Sequence, residues 1–214
     1  DAEFLARQTP GFSGADIANV CNEAALIAAR NGKKFVQKED FMNAVDRIVG
    51  GLEKRSKITT EEERKCIANH EAGHATLSWL LEHANPLVKV TIVPRGKALG
   101  AAWYLPEERQ ITTREQLQDE MCATLGGRAA EELVFNSVTT GASNDIEQAT
   151  AYVRNMITMY GMSEEFGLMA LETVENQYLD GRRVLNCADA TAAQIDQVVK
   201  AVSYTHLRAH ETSL

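Results

Sequence analysis

The segment His70-Glu71-Ala72-Gly73-His74 constrains this chain more than any other feature of its sequence. It has the form H-E-x-x-H, and residues four apart on a helix lie on the same face, one turn from each other. Two imidazoles placed in this way can bind one zinc ion, and the glutamate between them can accept a proton from an attacking water. The motif therefore predicts a helix at this position and the chemistry of peptide-bond hydrolysis.

The flanking sequence also predicts a helix. Thr60 and Glu63 have the spacing of a capping box, which favours a helix start. Gly73 costs about 1 kcal/mol relative to alanine inside a helix, so a glycine there indicates a packing or functional reason. The alternative is a chance motif on an ordinary amphipathic helix. Against it stands one continuous stripe of residues at steps of three or four: Ile67, His70, His74, Leu77 and Leu81.

Composition limits the class of protein. The chain has 214 residues, 44% of them hydrophobic and 24% charged, which is typical of a globular chain with one large or two small domains. Its net charge of -8 argues against nucleic acid as a partner. No run approaches the ~20 apolar residues of a membrane helix. None of the four cysteines forms a C-x-x-C pair, which indicates reduced thiols, and Cys66 is interpreted as a structural thiol rather than a ligand.

Three regions follow one another along the chain, at residues 1–55, 56–202 and 203–214. In the first, Ser13 and Asp16 predict the cap of one helix, and Lys38 leads a second helix that Gly50-Gly51 ends. The charged residues 53–57 are interpreted as a linker. The inward faces of the two helices are predicted to carry Ile17, Val20, Ala24 and Ile27, and Phe41, Val45, Ile48 and Val49.

The second region is predicted to be mostly helical with one β-hairpin. Alternating apolar residues at 88, 90 and 92 predict a strand, which pairs with Ala101 to Leu105 across Arg95-Gly96-Lys97. A long helix from Thr112 is expected to be interrupted at Gly126-Gly127. Residues 141–145 are interpreted as a loop before a helix that carries Ala149, Val153, Met156 and Ile157. The predicted fold class is thus mainly α with a small β-hairpin or sheet.

The last region, residues 203–214, does not continue this pattern. Its sequence Ser-Tyr-Thr-His-Leu-Arg-Ala-His-Glu-Thr is similar to a peptide that results when sequencing-adapter DNA is translated, which predicts a non-native tail outside the fold. His206 and His210 are four apart, but no glutamate stands between them in the H-E-x-x-H position. They are rejected as metal ligands.

A catalytic zinc site needs a third protein ligand and one open position. A histidine six residues after the second one is excluded, because Leu80 stands there, and His83 would have to fold back sharply. Asp145 ranks first, because it follows a glycine-containing loop at a helix start; the alternative is an ordinary first-turn aspartate favoured by the helix dipole. Glu131 or Glu132 ranks second, because paired glutamates on a helix surface are usually solvated.

Four motifs occur in order that together resemble one family: residues 70–75 (HEAGHA), 125–132 (LGGRAAEE), 140–146 (TGASNDI) and 160–163 (YGMS). They are similar to the peptidase domain of the FtsH family of ATP-dependent zinc metalloproteases. Residues 9–17 and 22–25 are similar to that family's small helical AAA+ lid. The resemblance extends from residue 1 to about residue 202.

The resemblance implies a helical AAA+ lid at residues 1–55, followed by a zinc metallopeptidase domain at 56–202. It implies that Asp145 is the third zinc ligand beside His70 and His74, and that Glu71 is the general base. It also implies that Gly14 and Ala15 lie close to a bound nucleotide; the alternative for this segment is ordinary helix capping by Ser13.

The expected activity is that of an ATP-dependent zinc metalloendopeptidase that degrades unfolded and membrane proteins. The expected cofactors are Zn²⁺ and, in the full-length protein, ATP with Mg²⁺. The family also implies a homo-hexamer on the inner or cytoplasmic membrane, with the peptidase on the cytoplasmic side. The chain contains no G-x-x-x-x-G-K-[ST] phosphate loop, so it is expected to be a fragment without the nucleotide-binding subdomain and membrane anchor.

Substrate is expected to bind as an extended chain added to the edge of Ala101–Tyr104, since edge pairing contacts backbone rather than side chains. The alternative for that segment is an ordinary hairpin strand with packed aromatics. Two other functions stay open from the residues alone. A scaffold without activity is disfavoured by the intact motif, and a zinc hydrolase outside proteolysis is disfavoured by the AAA+ lid.

Overall fold

The computed structural model describes residues 2–9, 11–51, 60–94, 100–104, 111–175 and 182–211, with side chains up to residue 202. The helices are α1 (Ala2–Gln8), α2 (Gly14–Arg30), α3 (Lys38–Gly50), α4 (Glu61–Leu80), α5 (Arg114–Phe135), α6 (Ser143–Thr158) and α7 (Asp189–Glu211). The strands are β1 (Leu87–Thr91), β2 (Ala101–Tyr104), β3 (Glu172–Glu175) and β4 (Arg182–Leu185). The prediction of a mainly α fold with little β structure is confirmed.

The chain divides into two compact units. One comprises Asp1–Glu71 and Asn85–Glu108, and the other comprises Ala72–Ala84 and Arg109–Leu214. The domain boundaries proposed after residues 55 and 202 stay predictions. The linker at 53–57 and the turn Arg95-Gly96-Lys97 lie outside the described residues.

Helices α2 and α3 pack on each other as the sequence predicts. Ser13 accepts a hydrogen bond from the Asp16 backbone N–H, and the Asp16 carboxylate accepts one from the Ser13 N–H, which completes a capping box. Four residues between the helices are buried, namely Val20, Ala24, Ala44 and Val45. The inward placement of Val49 is wrong, since this side chain is 55% exposed. At 3.6 residues per turn, Val49 lies about 90° from the centre of the buried face of α3.

Helix α4 begins where its capping box predicts. Thr60 Oγ1 accepts from the Glu63 N–H at 3.1 Å, and the Glu63 carboxylate accepts from the Thr60 N–H at 3.0 Å. None of the helices in the described part of the chain is long and apolar enough to cross a membrane.

Helix α5 continues without interruption through Gly126-Gly127, so the predicted break there is wrong. Close helix packing explains the first of these glycines. A Cβ on Gly126 would lie 2.6 Å from the Gly73 carbonyl oxygen, and a Cβ on Gly73 would lie 2.2 Å from the Gly126 carbonyl oxygen. Backbone contact between α4 and α5 therefore requires glycine on both helices.

The core of the second unit lies among α5, α6 and α7. The helix predicted after residue 145 is α6, and its four predicted core residues are buried, which confirms them. It begins at Ser143, so the interpretation of residues 143–145 as loop is wrong. The same core contains Met121, Cys122, Leu125, Phe166, Leu171 and Ile195. The hairpin β3–β4, which pairs Glu172 with Leu185, was not predicted from the sequence.

The predicted hairpin is confirmed as the antiparallel pair β1–β2. Leu87 lies opposite Tyr104 and Thr91 lies opposite Ala101, with an irregularity in register between residues 87 and 89. Each of the two sheets formed by the described residues has two strands.

Candidate metal centre

Two histidines and one aspartate lie together around a common point. His70, His74 and Asp145 each offer a ligand atom, and these atoms all lie within 4.8 Å of one another. The histidines are one turn apart on α4, and Asp145 is in the first turn of α6. Two imidazole nitrogens and a carboxylate oxygen are typical donors for catalytic zinc, which keeps a fourth position open. The residues present therefore fit a zinc ion.

A buried hydrogen bond determines which nitrogen of His74 can bind a metal. His74 Nδ1 lies 2.9 Å from the Ala123 carbonyl oxygen on α5. Because a carbonyl oxygen only accepts, Nδ1 carries the proton and donates it. Nε2 then has a lone pair, and it lies 3.5 Å from Asp145 Oδ2. Such a bond to the second ring nitrogen fixes both the tautomer and the ring orientation of a metal-binding histidine.

Glu131 holds the turn that leads to Asp145. Its side chain is 1% exposed and accepts hydrogen bonds from the Thr139 N–H at 2.8 Å and from the Thr139 hydroxyl at 3.0 Å. That hydroxyl accepts in turn from the Gly141 N–H at 3.1 Å, within the 3₁₀ turn Thr140–Ala142. This chain of hydrogen bonds fixes the backbone just before the helix that carries Asp145.

The sequence-based expectation for the paired glutamates is therefore half wrong. Glu132 is exposed on α5 as expected, whereas Glu131 is buried. Consecutive helix residues point about 100° apart, so one can be solvated while the other faces the interior. Neither glutamate belongs to the metal-binding group found among the described residues.

Glu71 is 6% exposed and lies against the backbone that precedes β2. A Cβ on Gly100 would lie 2.5 Å from Glu71 Oε1, so the Gly100 backbone closely approaches this carboxylate. Sequence analysis did not single out Gly100. The signal that could have found it is a glycine directly before a predicted strand.

Two segments of the chain match known protein families. Residues 57–214 match the family model for peptidase family M41, and residues 1–43 match that for an AAA+ lid domain. The chain belongs to peptidase family M41. The resemblance to the FtsH family is thereby confirmed.

Relatives of the M41 chain carry consistent names. An ATP-dependent zinc metalloprotease FtsH from Parabacteroides distasonis is 88% identical over 165 residues, which cover 77% of this chain and 24% of the relative. The FtsH of Clostridium perfringens is 53% identical over 99% of this chain and 29% of the relative. The mouse mitochondrial inner membrane m-AAA protease component AFG3L2 is 49% identical over 93% of this chain and 25% of the relative. The chain thus spans about a quarter of the length of these relatives.

His83 and Cys66, which the sequence analysis considered and rejected as ligands, are not in the metal-binding group that the described residues form. The backbone N–H of His83 donates to the Asp119 carboxylate at 2.9 Å. Burial, with a smaller contribution from Asp119, raises the pKa of the Cys122 thiol to about 11. Cys122 is therefore protonated at neutral pH and behaves as a core residue. The side chains of His206 and His210 lie outside the described residues.

Gly14 and Ala15 form the first turn of α2, directly after the capping residue Ser13. A Cβ on Gly14 would meet nothing within 4 Å, so no packing contact in this structure requires a glycine there. The nucleotide contact of these residues stays a prediction.

Proposed function

We propose that this M41 chain belongs to an ATP-dependent zinc metalloendopeptidase, with His70, His74 and Asp145 as zinc ligands and Glu71 as general base. The observation that carries the proposal is the group of three donor atoms within 4.8 Å of one another. Glu71 lies on the same helix as the two histidines and is buried, which supports its proposed role. Three protein ligands leave room for a water and a substrate carbonyl.

His70, His74 and Asp145 would hold a zinc ion that would lower the pKa of a water and polarise the peptide carbonyl. Glu71 accepts the proton from the attacking water and then passes it to the leaving amine. His74 keeps Nε2 available because its Nδ1 donates to Ala123. Asp145 supplies one negative charge to the ligand set, and Glu131 keeps the preceding turn in place.

We propose that the substrate binds as an extended chain alongside β2. In the described part of the chain, β2 pairs with β1 in a two-stranded sheet. Main-chain hydrogen bonds to an added strand do not depend on side-chain identity. Binding of this kind suits an enzyme that cleaves many unfolded and membrane proteins.

The rest of the proposal concerns the longer protein that contains this chain. There the lid works with a nucleotide-binding subdomain that binds ATP and Mg²⁺, with Gly14 and Ala15 close to the nucleotide. The protein forms a homo-hexamer and is anchored to the inner or cytoplasmic membrane, with its peptidase on the cytoplasmic side. The match to the AAA+ lid and the ATP dependence in the names of relatives support the nucleotide-binding part of this proposal. The inner-membrane location in the name of the mouse relative supports the membrane part. The hexamer, the cytoplasmic side and the roles of Gly14 and Ala15 rest on the family resemblance.

The decisive variant is Glu71→Gln in the full-length protein, because glutamine keeps the size of the side chain but cannot accept the proton. Casein hydrolysis is expected to fall on the order of 10²- to 10⁴-fold. Zinc content and ATP hydrolysis are expected to stay near wild type, since neither depends on that carboxylate. Glu132→Ala, at an exposed position of α5, is the control and should leave all three unchanged. Near-normal proteolysis by Glu71→Gln would refute the proposed role of Glu71.

A further inference from the structure

We propose that Gly100 is a positioning residue for Glu71: its backbone forms the wall against which the Glu71 carboxylate lies, and any side chain at residue 100 displaces the base. The inference rests on the proposed function, in which Glu71 accepts the proton of the attacking water. It adds a requirement at a residue outside helix α4, namely a glycine at position 100, directly before β2.

The contact is too close for any residue with a Cβ. A Cβ on Gly100 would lie 2.5 Å from Glu71 Oε1, 2.8 Å from Cγ and 2.9 Å from Cδ. Favourable non-bonded contacts between carbon atoms lie at about 3.5–4.0 Å. The three nearest atoms all belong to the Glu71 side chain, so the added methyl group acts first on that side chain.

Backbone conformation gives no separate reason for the glycine. The glycines of the described chain with a left-handed φ are Gly11, Gly32, Gly51, Gly161 and Gly167. Gly100 is not among them, so alanine can adopt its backbone conformation without strain. The requirement at residue 100 is therefore set by the space that Glu71 occupies.

This contact differs in kind from the glycine contact between α4 and α5. At Gly73 and Gly126 a Cβ would meet a backbone oxygen, so a whole helix would have to move. At Gly100 its three nearest atoms, Cγ, Cδ and Oε1 of Glu71, belong to one side chain, which can shift by changes in its own χ angles. An alanine there is expected to leave the fold nearly intact while it moves the carboxylate. A displacement of about 1 Å at a reacting group can lower a rate on the order of 10²-fold.

The same backbone segment also begins the strand proposed to bind the substrate. Gly100 directly precedes Ala101, which pairs with Thr91 in the hairpin. A substrate strand aligned on β2 is thereby held in a fixed relation to Glu71. Gly100 thus connects the position of the base with the position of the peptide bond.

The test is Gly100→Ala in the full-length protein, assayed with casein and with a fluorogenic peptide. We expect kcat to fall roughly 10- to 100-fold, with KM within about twofold of wild type. Zinc content and the melting temperature are expected to stay near wild type. Unchanged kcat would overturn the inference. An increase in KM at constant kcat would also overturn it, because Gly100 would then act on the substrate strand alone.

A second variant separates this contact from a general effect on folding. Glu71→Ala removes Cγ, Cδ and Oε1, the three atoms that a Cβ on Gly100 would meet. Adding Gly100→Ala to Glu71→Ala is therefore expected to lower the remaining kcat less than twofold. If Gly100→Ala lowers the melting temperature of the wild-type protein, it is expected to lower that of Glu71→Ala by less. Equal losses in the two backgrounds would overturn the inference, whereas a wild-type protein without zinc or proteolysis would refute the proposed function itself.

Discussion

At the scale of single residues, the candidate metal centre includes backbone and side-chain groups that hold the proposed ligands in place. Ala123 fixes the tautomer of His74 through a carbonyl oxygen 2.9 Å away. Glu131 fixes the turn before Asp145 through two hydrogen bonds to Thr139. Loss of such supporting bonds typically weakens metal binding about 10- to 100-fold. Ligands and supports are therefore expected to give different losses of zinc.

The ligand assignment predicts a ranking of zinc affinity among three variants of this chain. Asp145→Ala removes a donor atom and is expected to lose most of its zinc on dialysis. Glu131→Gln keeps the side-chain volume but lacks the charge, so its affinity is expected to fall about 10- to 100-fold. Glu132→Ala changes an exposed side chain and is expected to bind like wild type. Zinc affinity is measured by competition with a chromogenic chelator.

Two results would contradict this ranking. Full zinc in Asp145→Ala would show that another group supplies the third donor. Weaker binding by Glu132→Ala than by Glu131→Gln would show that the wrong glutamate has been assigned the supporting role.

Much of this candidate site can be predicted from the sequence alone. The residues that cannot be predicted are those whose role depends on tertiary packing. The spacing of His70 and His74 places both on one helix face whatever the rest of the chain does. The roles of Glu131 and Gly100 depend on contacts with segments that are distant in sequence. Burial of that kind is a property of the tertiary structure, so the sequence shows only a glutamate pair and a lone glycine.

At the scale of helices and strands, the contact of α4 with α5 predicts a stability effect. In Gly126→Ala the new Cβ would lie 2.6 Å from the Gly73 oxygen and 3.1 Å from the His74 nitrogen, so backbone must move. Overpacking of this kind costs about 1–3 kcal/mol. For a chain of this size, each kcal/mol lowers the melting temperature by roughly 2–4 °C.

Differential scanning calorimetry of the zinc-free chain measures this effect without metal binding. Glu132→Ala is the matched control on the same helix, and it should change stability by less than about 0.5 kcal/mol. A Gly126→Ala protein that melts like wild type would mean that the two helices can separate at no cost.

The cap of α3 predicts a dependence of stability on pH. A hydrogen bond from Lys33 at 2.8 Å, and another from the Gln37 N–H at 2.9 Å, hold the pKa of Asp40 below its ordinary value. In the unfolded chain that pKa is about 3.9. The stabilisation is therefore complete above pH ~4 and is lost as the pH falls through the lower folded pKa.

Thermal unfolding of wild type and Asp40→Asn from pH 7 to pH 2 checks this dependence. The variant is expected to melt at a lower temperature at pH 7, and the difference should shrink below pH ~4. A difference that stays constant down to pH 2 would show that the Asp40 charge does not stabilise the cap.

The helices show which local sequence patterns are sufficient to predict where a helix begins or ends. Capping boxes at Ser13 and Thr60 are local in sequence, and both helix starts are found where these residues predict. Gly126-Gly127 suggested a break because glycine disfavours helix by about 1 kcal/mol each. Contact with another helix overrides that preference, and only the folded chain shows the contact.

At the scale of the whole molecule, the order of the motifs is more informative than any one of them. A helical segment that matches an AAA+ lid precedes a segment that matches peptidase family M41. Each segment has its own buried residues, with one group between α2 and α3 and another among α5, α6 and α7. Helical hydrophobic periodicity predicts part of each group, namely Val20, Ala24 and Val45 in the first and Ala149, Val153 and Ile157 in the second, because that periodicity is local in the sequence.

The folded part of the peptidase segment is expected to end near Val202. Helix α7 places Ile195 in the core at 0% exposure, with Val198, Val199 and Val202 packed against it. A chain that ends at Val202 keeps all of these contacts, so its melting temperature and zinc affinity are expected to equal those of the full chain. A chain that ends before Ile195 is the control. Its free energy of unfolding should fall by about 2–5 kcal/mol or more, since removing one large buried side chain alone typically costs that much. The match to peptidase family M41 extends to residue 214, and it supports the opposite expectation, namely that residues 203–214 belong to the fold. A clear loss of stability on removing residues 203–214 alone would show that they belong to the fold and are not a non-native tail.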